Sequence, residues 1–159
     1  MKKYLFWLII PWFVWACNSP NGPSRQTNFS AYHVSNLAKL EAKTSTDRHG
    51  INLNLSITNI AGMTIYPAVD SVGHSLVFSV FDNYGQELIS FYDRDFERDY
   101  WTIGLKQDFA YAGTYLIASQ DLPAELRYGK IKIRLYLQDL NNNFGQPFEL
   151  EVDYDFANY

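Results

Sequence analysis

Between Ile51 and Asn59 every second residue is apolar. Ile51, Leu53, Leu55 and Ile57 alternate with Asn52, Asn54, Ser56 and Thr58. A period of two places the apolar set on one face of a strand and leaves the other face wet. Asp47-Arg48-His49-Gly50 reads as the turn before it, with Leu40–Ser45 as the preceding strand. After a turn at Asn59–Gly62, a short strand is expected around Met63–Tyr66. Pro67 has no N–H for a ladder, so that strand ends there or lies at an edge. Leu76–Phe81 is apolar on both faces and is expected to be central. Asp82-Asn83-Tyr84-Gly85 turns the chain into a strand over Glu87–Tyr92. Trp101, Ile103 and Leu105 alternate again, which predicts a strand with Trp101 packed inward. Thr114–Ala118, Gly129–Gln138 and Phe148–Asp155 complete a set of about nine short strands. Only Asn36–Lys43, with Leu37 and Leu40 at i and i+3, competes as a helix.

Short strands spaced by turns, without a convincing amphipathic helix, argue for an all-β, immunoglobulin-like antiparallel β-sandwich of about 7–9 strands. A jelly roll or a small β-barrel is the alternative. Ala112-Gly113-Thr114-Tyr115 resembles the A-G-x-Y that enters a late strand of many immunoglobulin-like domains, where the tyrosine closes a corner. Leu53–Asn59, ending Ser-Ile-Thr-Asn, resembles the second strand of bacterial immunoglobulin-like modules. The last two long strands predict their own pairing. Apolar Ile131, Ile133, Leu135 and Leu137 alternate with Lys130, Lys132, Arg134 and Tyr136. Phe148, Leu150, Val152 and Tyr154 alternate with Glu149, Glu151, Asp153 and Asp155. Setting Ile133 opposite Val152 and Leu135 opposite Leu150 also sets Lys132 opposite Asp153 and Arg134 opposite Glu151. A slip of one residue destroys both matches, and a slip of two preserves them.

The chain has 159 residues, which suits one domain with a short appendage. The appendage is at the start. Lys2 and Lys3 precede a twelve-residue apolar and aromatic run, Tyr4–Trp15. Such a run is too short to span a bilayer and fits the core of a secretory signal. It ends in Val14-Trp15-Ala16-Cys17, which resembles the lipobox of bacterial lipoproteins. That resemblance implies cleavage before Cys17 and attachment of a diacylglycerol to its sulfur, so that the protein is held to a membrane through Cys17. Cys17 is the sole cysteine, so no intramolecular disulfide forms. Asn18–Asn28 contains two prolines, one glycine and no apolar residue, the composition of a flexible spacer. Fully extended it reaches about 40 Å. The expected division is a signal peptide over 1–16, lipidated cysteine and tether over 17–30, and a β-sandwich over 31–159. In lipoprotein sorting, Asp after the cysteine favours the inner membrane. Asn18 therefore favours the outer membrane by resemblance, with the periplasmic face as the expected side.

The formal charge of −4 supplies no basic footprint for nucleic acid. There is no G-x-S-x-G, H-E-x-x-H or P-loop, and no catalytic residue, metal site or cofactor is assigned. Gly73-His74-Ser75 is the nearest approach to a nucleophile elbow, and His33, His49 and His74 lie far apart in the chain. Asp93–Tyr100 is the most charged stretch and reads as a solvated loop, with Phe96 and Tyr100 as candidate partner-binding residues. Asp139–Gly145 superficially resembles a D-x-N-x-N calcium loop. Its glycine falls one position late and Leu150 stands where Glu is required, so it reads as a hairpin loop. Asn142 and Phe144 in it are further candidates for partner contact, with Phe144 as the apolar anchor. Asp70-Ser71-Val72 resembles an O-glycosylation sequence of some Gram-negative envelopes. The expected function is a lipid-anchored envelope protein whose sandwich is a non-catalytic binding or structural module. It would contact an envelope protein or a glycan through the loops 66–74, 92–100 and 138–147. An accessory subunit of an outer-membrane secretion or transport assembly is one alternative. A small envelope hydrolase, or an inhibitor of one, is another.

Replacing Cys17 with Ala is expected to release the protein from the membrane fraction or to leave an uncleaved precursor. Incorporation of labelled fatty acid equal to that of the parent chain would contradict the anchor.

Overall fold

The computed structural model describes residues 28–124, 126–138 and 147–156. The signal, Cys17, the tether up to residue 27, Asn142 and Phe144 lie outside them. The strands are β1 Asn28–Val34, β2 Ala38–Asp47, β3 Gly50–Asn59, β4 Tyr66–Pro67, β5 Leu76–Asp82, β6 Glu87–Tyr92, β7 Ala110–Ala118, β8 Tyr128–Leu135, β9 Leu137–Gln138 and β10 Phe148–Asp155. A helix, α1, spans Arg94–Tyr100. All pairings are antiparallel. One sheet has the order β1-β2-β3-β7, the second β10-β8-β5-β6, and a small third pairs β4 with β9.

This is an immunoglobulin-like sandwich, and the described strands close into no barrel. The order β2-β3-β7 facing β10-β8-β5-β6 corresponds to A-B-E facing G-F-C-C′ of that architecture. β1 is an extra strand on the outer side of β2, and it begins at Asn28, three residues before the expected start of the domain.

The alternation of β3 sends Ile51, Leu53, Leu55 and Ile57 into the core. They meet Leu76, Phe78 and Val80 of β5 and Ile131, Ile133 and Leu135 of β8 in one buried cluster. β2 alternates likewise but ends its inward set with Thr44 and Thr46, both buried. Their hydroxyls donate to the carbonyls of Asp153 and Asp155 on β10. Two core threonines therefore satisfy the outer edge of the facing sheet, where unpaired carbonyls would be costly to bury.

β8 and β10 are antiparallel neighbours with matched faces, as the alternation predicts. The register is two residues from the expected one: Leu135 faces Phe148, Ile133 faces Leu150 and Ile131 faces Val152. The ion pairs run diagonally, Lys130 to Glu151 at 3.2 Å and Lys132 to Glu149 at 2.8 Å. The reason lies at the far end of the pair. In this register Tyr154 stands opposite Gly129. Its hydroxyl reaches across to donate to Phe81 O at 2.7 Å. A Cβ on Gly129 would overlap both Phe81 O and that hydroxyl. The expected register would have set Tyr154 against Ile131, where a branched side chain fills the space the ring needs.

Two expectations fail between β6 and β7. Asp93–Tyr100 is no solvated loop: Asp93 is the N-cap of α1, with Asp95 and Glu97 in the first turn and Arg98 in the last. Asp95 and Arg98 pair at 3.0 Å across i, i+3. Asp95 and Glu97 near the start of α1 and Arg98 near its end suit the helix dipole, while Arg94 and Asp99 oppose it. The predicted strand from Trp101 to Leu105 is also absent. Trp101 is the C-cap of α1 and is 53% exposed, and Ile103 is 63% exposed. Only Leu105 is buried, through a single bridge to Ile65. Once Asp93 starts a helix, its last turn ends at Trp101, and an alternating pattern cannot assert a period of two there.

Gly129→Ala is expected to destabilise the fold by about 1–3 kcal/mol, as overpacking does. Chemical denaturation measures this. An unchanged unfolding midpoint would contradict the placement of Tyr154.

Candidate functional site

The pairings sort the loops onto two ends. Tyr92 closes β6 opposite Val77 at the start of β5, Leu135 closes β8 opposite Phe148, and β4 meets β9. The segments 66–74 and 92–100 and both flanks of 138–147 therefore share one end. The turns 34–38, 59–66 and 101–109 lie there too. Asn28 is at the opposite end, paired with Ser45 beside the Asp47–Gly50 turn. Thr46 bonded to Asp155 keeps the two sheets in step at that end. Ten-residue strands set the two ends roughly 30 Å apart. The loops expected to carry recognition thus gather away from where the described chain begins.

One carboxylate organises this distal end. Asp93 Oδ1 accepts from the backbone N–H of Asp95 at 2.8 Å and of Phe96 at 3.1 Å. Its Oδ2 accepts from the hydroxyls of Tyr111 and Tyr115 on β7. Its own N–H donates to Leu76 O at 3.0 Å. The residue is 8% exposed and joins α1, β5 and the opposite sheet. Burial pushes the Asp93 carboxyl up, but the hydrogen bonds from Tyr111, Tyr115, Phe96 and Asp95 outweigh it and hold the carboxyl below its ordinary value. Burial, then the bonds to Asp93, push Tyr111 and Tyr115 above the ordinary phenol range.

The Ala112-Gly113-Thr114-Tyr115 sequence acquires a different role from the one expected. It lies in β7, and its tyrosine meets the Asp93 side chain instead of closing a backbone corner. A Cβ on Gly113 would overlap the Tyr115 ring and hydroxyl, so the glycine leaves room for the ring to lie along the strand toward Asp93. Around it runs an aromatic seam. Phe78 stacks on Phe91 at 4.8 Å and tilts against Tyr115 at 4.6 Å. Phe96 meets Tyr111 edge-on at 5.0 Å.

The helix also grips the loop before β5. Glu97 accepts from the N–H of Ser75 at 2.7 Å, and its Oε1 lies 3.8 Å from His74 Nδ1. The His74 ring stacks on Tyr92 at 3.6 Å, and Arg94 Nε donates to the Tyr92 hydroxyl at 2.9 Å. Phe96, expected as a partner contact, is a core residue with no exposure. Helical spacing turns it inward against Tyr111. Tyr100, on the same helical face, is half-buried against Phe96 and Tyr111.

The residues this end does present were missed. Asn59, fully buried, donates through Nδ2 to Met63 O at 2.6 Å and Leu105 O at 2.7 Å. Its Oδ1 accepts from Ala61 N–H at 2.8 Å, and its backbone bonds to Phe109 and Asp108. One side chain thus staples the 60–66 segment to the 101–109 segment. Out of those two segments project Ile60, Met63, Trp101, Ile103 and Phe109, each at least 43% exposed. Exposed apolar side chains on backbone tied together by a buried amide are candidates for protein contact. The alternation of Trp101, Ile103 and Leu105 concealed them, because a period of two reads as a strand with an inward face.

Ser71 is exposed on the turn at Asp70, whose carboxylate accepts from the N–H groups of Val72 and His74. Among the described residues no three His, Cys, Asp or Glu side chains gather as a metal site. At the opposite end a groove of about 820 Å³ is lined by Phe29, Tyr84, Tyr128, Lys130, Glu151 and others. Several of its polar groups already bond one another, Lys130 with Glu151 and Asn83 with Tyr128. Compared with protein-family models, curated proteins and solved structures, the chain matches none.

Asp93→Asn is expected to cost about 1–3 kcal/mol at neutral pH, by weakening two bonds from buried phenols. Because the folded carboxyl titrates below its unfolded value, its contribution is present above about pH 4 and is lost as pH falls through the folded value. The raised tyrosines act in the other direction. Their contribution holds below about pH 10 and fades as pH rises beyond it. Denaturation measured from pH 2 to 7 should therefore give a shallower acid limb for the variant, and an identical limb would contradict the assignment.

Proposed function

We propose that the chain is a lipid-anchored envelope protein whose β-sandwich is a non-catalytic binding module, and that it takes a protein partner on the end away from its anchor. The carrying observation is the patch of Ile60, Met63, Trp101, Ile103 and Phe109, held on two segments stapled by Asn59. Trp, Ile, Met and Phe are the wrong residues for a solvated loop and the right ones for a contact that excludes water. The lipobox-like Val14-Trp15-Ala16-Cys17 supports the anchor, and the Asn18-led spacer supports a domain standing off the membrane. With the chain entering at Asn28, the patch then faces outward from that membrane, where a second envelope protein can reach it.

The reading predicts separable effects. Trp101→Ser and Ile103→Ser remove exposed side chains, so stability should change by no more than about 0.5 kcal/mol. A photo-reactive amino acid at Ile103 should give a discrete cross-linked adduct in membranes, and Trp101→Ser should abolish it. The same probe at Tyr84, 88% exposed at the other end, should give none. Equal labelling from both positions, or no adduct from Ile103, would contradict the proposal.

A further inference from the structure

We infer that β7 is a dimerisation edge, on which two copies of this chain pair antiparallel about a two-fold axis at Thr114. The inference stands apart from the distal patch and from the lipid anchor. Of the four sheet edges, β1 lies against β10, with His33 and Phe148 rings 6.1 Å apart.

An unpaired strand edge is a template for another chain, and proteins usually protect it. On β10 the carbonyls of Asp153 and Asp155 are taken by Thr44 and Thr46, and the strand carries Glu149, Glu151, Asp153 and Asp155, which would repel a second copy. β6 is short, opens with Glu87 and is paired through a register shift between Val80 and Phe81. β7 has none of these devices. It runs nine residues, Ala-Tyr-Ala-Gly-Thr-Tyr-Leu-Ile-Ala, without a charge or a proline. Its register with β3 is unbroken from Ala110 to Ala118, and it has no second strand neighbour among the described residues.

The hydrogen-bond parity shows what the free edge offers. At one end of the β3–β7 ladder Asn59 N–H donates to Phe109 O, and at the other Ser119 N–H donates to His49 O. Antiparallel pairs alternate, so odd-numbered residues bond to β3 and even-numbered ones point their N–H and C=O outward. A two-fold axis at Thr114 sets Ala110 against Ala118, Ala112 against Leu116, and Thr114 against itself. Every outward-pointing group then finds a partner. The side chains of those residues alternate onto the exposed face, and none brings like charges together. Leu116, 59% exposed, gains the small Ala112 of the other copy as its neighbour.

A cysteine in place of Thr114 tests this in the full-length chain in its own membrane. Across the axis the two Cα atoms would lie about 5.5 Å apart, within disulfide reach. Under mild oxidation Thr114→Cys should form a covalent dimer far in excess of Tyr84→Cys, the collision control. Ala112→Cys alone should not, because its partner is Leu116, and adding Leu116→Cys should restore the link. In a second arm, differently tagged copies should co-purify, and Thr114→Lys, which opposes two charges at the axis, should weaken this at least tenfold. Dimer from Thr114→Cys no greater than from Tyr84→Cys, equal cross-linking by Ala112→Cys alone, or co-purification indifferent to Thr114→Lys would overturn the inference.

Discussion

Asp93 accepts four hydrogen bonds with two oxygens, and the distal half of the molecule is arranged around that fact. Two come from the first turn of α1 and two from phenols on the facing sheet. A buried carboxylate without such partners would be strongly disfavoured, and with them it becomes a fixed point. It caps the helix, closes the gap between β6 and β7, and sets where α1 begins. Trp101 and Ile103 are exposed because the helix stops where it does. The loop at 68–74 is held because Glu97 of that helix reaches Ser75. Asn59 does the same for the neighbouring segments by bonding three backbone groups. Two buried polar side chains thus pre-organise a surface composed largely of loops, which lowers the ordering cost of any partner it takes.

Much of the sandwich was legible because a period of two needs only local information. β3 and β10 lie where the alternation placed them, β5 and β6 where an apolar run and the turn after it did, and the faces of β8 and β10 match. What the alternation left open or misplaced depended on partners distant in sequence. Alternation cannot distinguish registers two residues apart, and the choice between them was made by Gly129, which leaves room for a tyrosine on another strand. The charged run at 93–100 carried a helix signal, with an acidic N-cap followed by paired charges at i, i+3. That signal competed with a strong expectation of strands and turns. Of the expected recognition loops, 66–74, 92–100 and the described flanks of 138–147 do share an end, but the exposed apolar residues lie on the neighbouring segments 60–66 and 101–109. The candidate site was not legible in detail: Phe96 is core, and Trp101 and Ile103, whose alternation read as a strand, are exposed.

The two ends of the domain differ in chemistry. The end near Asn28 has a groove whose lysine, glutamate, asparagine and tyrosine groups bond among themselves. The distal end presents apolar side chains on stapled backbone. The proposed function assigns a tether to the first end and partner contact to the second. Along the side of the sandwich, β7 offers a third, separate surface made of backbone instead of side chains.

The central claim is that Asp93 orders the distal end specifically and the sandwich only incidentally. Amide hydrogen exchange on the Asp93→Asn chain tests it most directly. The account predicts lost protection across residues 94–109 and the loop before β5, while the amides of β2, β3 and β8 keep theirs relative to global stability. A uniform change across the whole domain, or unchanged exchange in α1, would contradict it.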